Sequence, residues 1–165
     1  MQIVLMGVAG SGKSSIGSKL AIKLALPFVD GDDLHPKQNL MKMTAGVPLE
    51  DDDRWPWLDL CGLTLQMEAG AVIACSALKR SYRDRIRSLA PQTVFIHLAG
   101  SEELLLERLN NRKGHFMKPW MLTSQLETLE PLAAGEVGFS LEIDRSEADV
   151  VDEAMDFLAK LAPAR

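Results

Sequence analysis

The sequence predicts a three-layer α/β/α domain built on a five-stranded parallel sheet, and three observations carry that prediction. Short, uniformly apolar runs read as strands covered on both faces: Ile3-Val4-Leu5-Met6, Ala71-Val72-Ile73-Ala74-Cys75 and Thr93-Val94-Phe95-Ile96-His97-Leu98. Segments of helical periodicity separate them, so strands and helices alternate along the chain. A glycine-rich stretch, Gly7 to Ser14, leaves the first strand and opens the first helix. Right-handed crossovers then leave few topologies, with ligands beyond the carboxyl ends of the strands.

In chain order, Ile16, Leu20 and Leu24 mark an apolar stripe on a helix from Lys13 that Pro27 ends. Pro27-Phe28-Val29-Asp30 is a short second strand, after which Gly31 permits a sharp turn and Asp33 is expected to cap the next helix. That helix runs from His35-Pro36 to about Met43, with Gly46 as a stop. Glu50-Asp51-Asp52-Asp53 opens a longer helix with acids in its first turn, where the helix dipole favours them, and it is expected to reach Gly70. After the third strand, Ser76 to Leu89 contains a basic helix. Helices from Ser101 to about Arg112 and from Trp120 to Leu129, a fifth strand from Phe139 to Ile143, and an amphipathic helix from Glu147 to Leu161 complete the chain. No composition shift marks a second domain; 33–70 and 112–131 read as insertions able to close over a ligand.

A chain of 165 residues, 47% hydrophobic and 25% charged, suits one soluble domain. A net charge of −5 argues against a nucleic-acid partner. Neither a signal peptide nor a membrane span is visible, and Cys61 and Cys75 lack metal-type spacing. They read as buried thiols, and the expected location is the cytoplasm.

Gly7-Val8-Ala9-Gly10-Ser11-Gly12-Lys13-Ser14 fills the pattern G-x-x-x-x-G-K-[ST], the phosphate-binding P-loop. Its glycines carry no Cβ to block the approach of phosphate oxygens to the backbone N–H groups. Lys13 is placed to reach the β- and γ-phosphates of ATP and Ser14 to ligate Mg²⁺, with Ser15 continuing the loop into a helix whose positive end faces the anion. The guanine-reading N-K-x-D of GTPases is absent from the sequence, and the third strand ends in Ser76-Ala77 rather than a metal-binding Asp. The early strand that ends in a carboxylate is the second, and Asp30-Gly31-Asp32 lets two carboxylates diverge from one turn. Asp30 would face Ser14 and Mg²⁺; Asp32 would take the proton of an acceptor hydroxyl.

These residues carry a family resemblance. Asp30 to Pro36, Asn39, Lys42-Met43, Gly46, Pro48-Leu49, Asp51-Asp52-Asp53-Arg54 and Pro56-Trp57-Leu58 are similar to gluconate kinase (gluconokinase). So are Cys75 to Lys79 with Tyr82-Arg83-Asp84, and Arg112 to Phe116 with Ser124-Gln125 and Leu129-Glu130. The resemblance implies ATP- and Mg²⁺-dependent phosphorylation of D-gluconate to 6-phosphogluconate, a homodimer, and kinship with shikimate and nucleoside monophosphate kinases.

Gluconate is a polyhydroxylated monoanion, so its carboxylate calls for a guanidinium fork and its hydroxyls for groups that donate and accept. Arg54 is the expected anchor, since in related shikimate kinases an Arg at the corresponding place holds the substrate carboxylate. An ion pair with Asp51 or Asp53 at the helix start is its other reading. Lys79 and Arg83, four apart on one helix face, are assigned to the substrate, as are His35, Asn39 and Gln125 for its hydroxyls. Arg108, Arg112 and Lys113 fall where kinases of this class carry a mobile lid, and Arg112 is expected to meet the transferred phosphoryl group. Arg108 and Arg145 are assigned to the nucleotide, Arg145 because related kinases pack the adenine after the last strand.

Overall fold

A five-stranded sheet in the order β2-β3-β1-β4-β5, parallel throughout, organises the chain. The computed structural model describes residues 1–112 and 118–161. The elements in sequence are β1 Gln2–Met6, α1 Lys13–Leu24, β2 Phe28–Asp30, one turn of 3-10 helix at Gly31–Leu34, α2 Lys37–Thr44, α3 Asp51–Leu65 and β3 Ala71–Ala74. There follow α4 Arg80–Leu89, β4 Val94–Ala99, α5 Glu102–Asn110, α6 Pro119–Thr128, β5 Gly138–Glu142 and α7 Glu147–Leu161. The three-layer α/β/α prediction holds. Among the described residues no helix is long and apolar enough to cross a membrane.

The all-apolar strands are explained by two cores, one on each face. Ile3 and Leu5 of β1 pack with Ile16 and Leu20 of α1, Leu105 of α5 and Val150, Ala154 and Leu158 of α7. Val4 and Met6 point the other way, against Trp57, Leu58 and Cys61 of α3 and Tyr82 and Ile86 of α4. Because side chains alternate along a strand, a strand buried on both faces must be apolar at every position. Cys61 and Cys75 are free, buried thiols in the second core.

Some helix boundaries need comment. Asp33 does not cap α2; Asp30 caps the 3-10 turn instead, its side chain accepting from the Asp32 amide, and α2 starts after Pro36. The helix α3 stops at Leu65, short of Gly70. Within the expected stretch the basic helix starts at Arg80, because Ala77 takes a left-handed conformation with φ of 43° that no α-helix accommodates.

That loop is held by Arg83. Arg83 is wholly buried, and its five N–H donors are all engaged. Nε and Nη2 form a fork on Glu136 at 2.7 and 2.9 Å, Nη1 donates to the carbonyls of Ala77 and Leu78, and Nη2 also donates to that of Pro131. The expectation that Arg83 binds substrate is therefore corrected: a guanidinium has no sixth donor. The Arg83 guanidinium holds the Glu136 carboxyl down at about 2. A carboxylate depressed in the folded state contributes its full stability above about pH 4.5 and loses it as pH falls toward about 2.

Removing one partner leaves the other charge buried and uncompensated. Glu136→Ala is expected to cost about 3–5 kcal/mol in urea unfolding at neutral pH, and the deficit relative to the parent chain should shrink as pH falls below about 4.

Candidate active site

The site lies at the carboxyl ends of β1, β2 and β3, where the turns after these strands enclose a cavity of about 450 Å³. The P-loop forms its floor. Gly12 precedes α1 with φ of 90°, a left-handed conformation that glycine reaches at little cost, and this directs the N–H groups of the first turn of α1 toward the cavity. Ser11 Oγ is buried without a partner among the described residues. Lys13 Nζ donates to the Val8 carbonyl at 3.0 Å. Burial lowers the Lys13 pKa, opposed chiefly by the Asp32 carboxylate.

Asp30 and Asp32 stand opposite. The Ser14 hydroxyl donates to Asp30 Oδ2 at 2.6 Å, and the Asp32 amide donates to Asp30 Oδ1 at 3.0 Å. Both carboxylates line the cavity; Asp30 is tied to the P-loop and to its own turn through these two bonds. Burial raises the Asp32 pKa, and the neighbouring Asp30 charge adds to the rise. The glycine between them is required by contact: a Cβ at Gly31 would lie 2.5 Å from the Ala74 carbonyl of β3. Trp57 Nε1 donates to the Gly31 carbonyl at 2.7 Å and fixes the turn from the other side.

Gln125 and Arg112 line the same cavity from the α5–α6 side. Gln125 Oε1 accepts from the Ala9 amide at 2.8 Å, so one oxygen of the expected hydroxyl reader ties α6 to the P-loop. Arg108 lies beside Gly12 and donates to the Ile143 carbonyl. Lys113, Gly114, His115 and Phe116 lie outside the described residues.

The remaining expected residues divide. His35 stacks on Trp57 with centroids 4.2 Å apart, and its Nδ1 meets Asn39 Nδ2 at 3.2 Å. Since that amide nitrogen donates, Nδ1 accepts and Nε2 carries the ring proton. Burial pushes the His35 pKa down, the Asp32 carboxylate opposes this, and the Arg54 charge reinforces it. Asn39 is buried and also donates to the Asp53 carbonyl at 2.8 Å, so it braces His35 and α3 instead of reading a hydroxyl through its nitrogen. Lys79 is taken by Asp51 at 3.2 Å and does not line the cavity. Ser15 donates to Glu147 at 2.8 Å, and Arg145 pairs with Glu153; neither side chain lines the cavity. Arg54 forms neither of its expected helix-start ion pairs, because Lys42 holds Asp53 and Lys79 holds Asp51. Ser76, Met43 and Met121 line the cavity without being among the expected site residues; Ser76 and Met43 do fall in the blocks that carry the family resemblance, and Ser76 follows a strand end.

Comparison with known proteins agrees with this geometry. The shikimate kinase family model matches residues 9–156. The thermoresistant gluconokinase of Escherichia coli is 43% identical, covering 95% of this chain and 93% of its own. The chain belongs to the gluconokinase family. The gluconokinase of Gluconobacter oxydans is 48% identical over 78% of this chain and 74% of its own. A crystal structure of a gluconokinase from Sinorhizobium meliloti superposes with a TM-score of 0.90 at 48% identity, covering 98% of this chain and 93% of that one. A shikimate kinase from Aquifex aeolicus shares the fold, with a TM-score of 0.64 at 19% identity. The chain is thus a P-loop kinase of the gluconokinase family that uses ATP.

Gly31→Ala drives a Cβ into backbone, so the Asp30–Asp32 turn must move away from β3. Activity should fall roughly ten- to hundred-fold, read as kcat in a coupled ADP-release assay, because reacting groups held in place tolerate little displacement.

Proposed function

We propose that this chain transfers the γ-phosphoryl group of ATP to the terminal hydroxyl of D-gluconate, giving 6-phosphogluconate and ADP. The observation that carries the reading is the single cavity shared by the P-loop, the Ser14–Asp30 pair and the elevated carboxyl of Asp32. Asp32 accepts the hydroxyl proton as the acceptor oxygen bonds to the γ-phosphorus and the bond to the β,γ-bridging oxygen breaks. Lys13 and Arg112 meet the charge spread over the transferred group, with Arg108 and the P-loop backbone on the nucleotide. Gln125 from the cavity wall, and His35 and Arg54 from outside its lining, serve the acceptor in this reading, with Arg54 as carboxylate anchor.

A hydroxyl and a carboxylate at Ser14 and Asp30 are hard oxygen donors of the kind Mg²⁺ takes with phosphates. Among the described residues no cluster of three or more His, Cys, Asp or Glu side chains forms a separate metal cage. Mg²⁺ there supplies charge neutralisation for the phosphates.

Residues 33–70 act as the acceptor-binding insertion and residues 112–131 as the lid. Met43 from α2 and Met121 and Gln125 from α6 all line the cavity, which supports that division. The protein works as a cytoplasmic homodimer in this reading. The exposed Leu60 and Leu63 of α3 supply apolar surface for a second copy, a point that sedimentation measures.

A coupled ADP-release assay across gluconate, other sugar acids, shikimate and nucleoside monophosphates tests the substrate; gluconate no better than the rest overturns it. Asp32→Asn should lower kcat by about 10²–10⁴ with ATP affinity nearly intact. In the parent enzyme kcat/KM should fall with decreasing pH through an apparent pKa above the ordinary carboxylate value of about 4, since the base must be ionised. Arg54→Ala should raise the KM for gluconate far more than that for ATP.

A further inference from the structure

The amino end of α3 poses an electrostatic problem. Arg54 follows three aspartates, and Asp51 stands three residues before it, the spacing at which a helix pairs opposite charges. A guanidinium closed on Asp51 would have little left for a substrate carboxylate. The pair does not form. Asp51 accepts from Lys79 Nζ at 3.2 and 3.3 Å and from the Tyr82 hydroxyl at 2.5 Å. Asp53, the nearest other carboxylate with a partner, is chelated by Lys42 at 2.8 Å through both oxygens.

Arg54 rests on the ring of the same tyrosine. Its Cζ lies 5.5 Å from the Tyr82 centroid, and Lys79 Nζ lies 5.4 Å from it. Trp55 braces the ring by an edge contact at 5.8 Å, and Tyr82 is 4% exposed. Of the guanidinium donors, Nη2 reaches the Leu49 carbonyl at 3.1 Å, while Nε is buried with no partner among the described residues. Desolvation at such a site strengthens a cation–π contact and raises the cost of leaving donors unpaired.

We infer that Tyr82 is a positioning residue for recognition of the acceptor's carboxylate: its ring carries the Arg54 guanidinium, and its hydroxyl, with Lys79, keeps Asp51 from closing on it. The inference rests on the reading of Arg54 as the carboxylate anchor. Asp51 is a real competitor, because the Tyr82 hydrogen bond and Lys79 hold its pKa below the usual carboxylate range. The device matters for a monoanionic substrate whose reacting hydroxyl and carboxylate sit at opposite ends: held at the carboxylate, it presents the far hydroxyl to Asp32.

The test compares gluconate with its neutral amide, gluconamide, assayed as substrate or competitive inhibitor, for Tyr82→Met, Tyr82→Phe and Arg54→Ala. Tyr82→Met removes the ring at similar volume and should raise the KM for gluconate by about ten-fold, with kcat, the KM for ATP and gluconamide binding within about two-fold of the parent. It should add nothing in the Arg54→Ala background. Tyr82→Phe keeps the ring and frees Asp51, so a smaller rise in KM is expected, reversed by adding Asp51→Asn. Equal losses for gluconate and gluconamide, or an undiminished effect of Tyr82→Met without Arg54, overturn the inference. Should Tyr82→Met fail to fold by circular dichroism, Tyr82→Phe decides: an unchanged gluconate KM, or no recovery with Asp51→Asn, overturns it. Arg54→Ala with an unchanged gluconate KM removes the anchor reading itself; a raised KM there beside inert Tyr82 variants removes the role of Tyr82 alone.

Discussion

The close approach of Gly31 to β3 is the constraint on which the site depends. With no Cβ at this position the chain turns directly over the Ala74 carbonyl, where any side chain would lie 2.5 Å from backbone. That turn brings Asp30 to the Ser14 hydroxyl at 2.6 Å and leaves Asp32 facing the cavity. Trp57 reaches across from α3 to hold the Gly31 carbonyl, so the acceptor-side insertion and the P-loop are registered through one peptide unit. Two adjacent carboxylates then take different parts because one is hydrogen-bonded twice and the other is desolvated beside it.

The same economy governs the cations. The guanidinium and ammonium groups near the site differ in how far protein partners engage their donors. Arg83 spends five donors on Glu136 and three carbonyls, and by holding Ala77 and Leu78 it shapes the loop whose Ser76 carbonyl accepts from the Gly7 amide. Lys42 and Lys79 neutralise the aspartates flanking Arg54. Arg54 keeps a buried Nε with no partner among the described residues, which suits the anchor role proposed for it.

Much of this was legible in the residues. Uniformly apolar runs named the buried strands, because strands with helices on both faces have no solvent side to mark with polar residues. The P-loop named the phosphate donor, since its glycines and Lys13 have few other uses in that pattern. Asp30 and Asp32 could be read as two separate carboxylates because Gly31 splits them, and their surroundings do differ. What failed was the reading of Arg83 as a substrate contact, and Lys79 and the Asn39 nitrogen are engaged by protein partners. Helical spacing puts Lys79 and Arg83 on one face, yet spacing carries no information about Glu136, fifty-three residues away from Arg83, or about Asp51.

By itself, the sequence determined the architecture, the phosphate-binding floor and the pair of carboxylates, because each is encoded in contiguous residues whose backbone and pattern requirements are local. Only the tertiary structure decided which charged side chains remain available to a ligand. Hydrogen-bond saturation is a property of partners brought from distant segments: Arg83 has every donor engaged, whereas the buried Nε of Arg54 has no partner among the described residues.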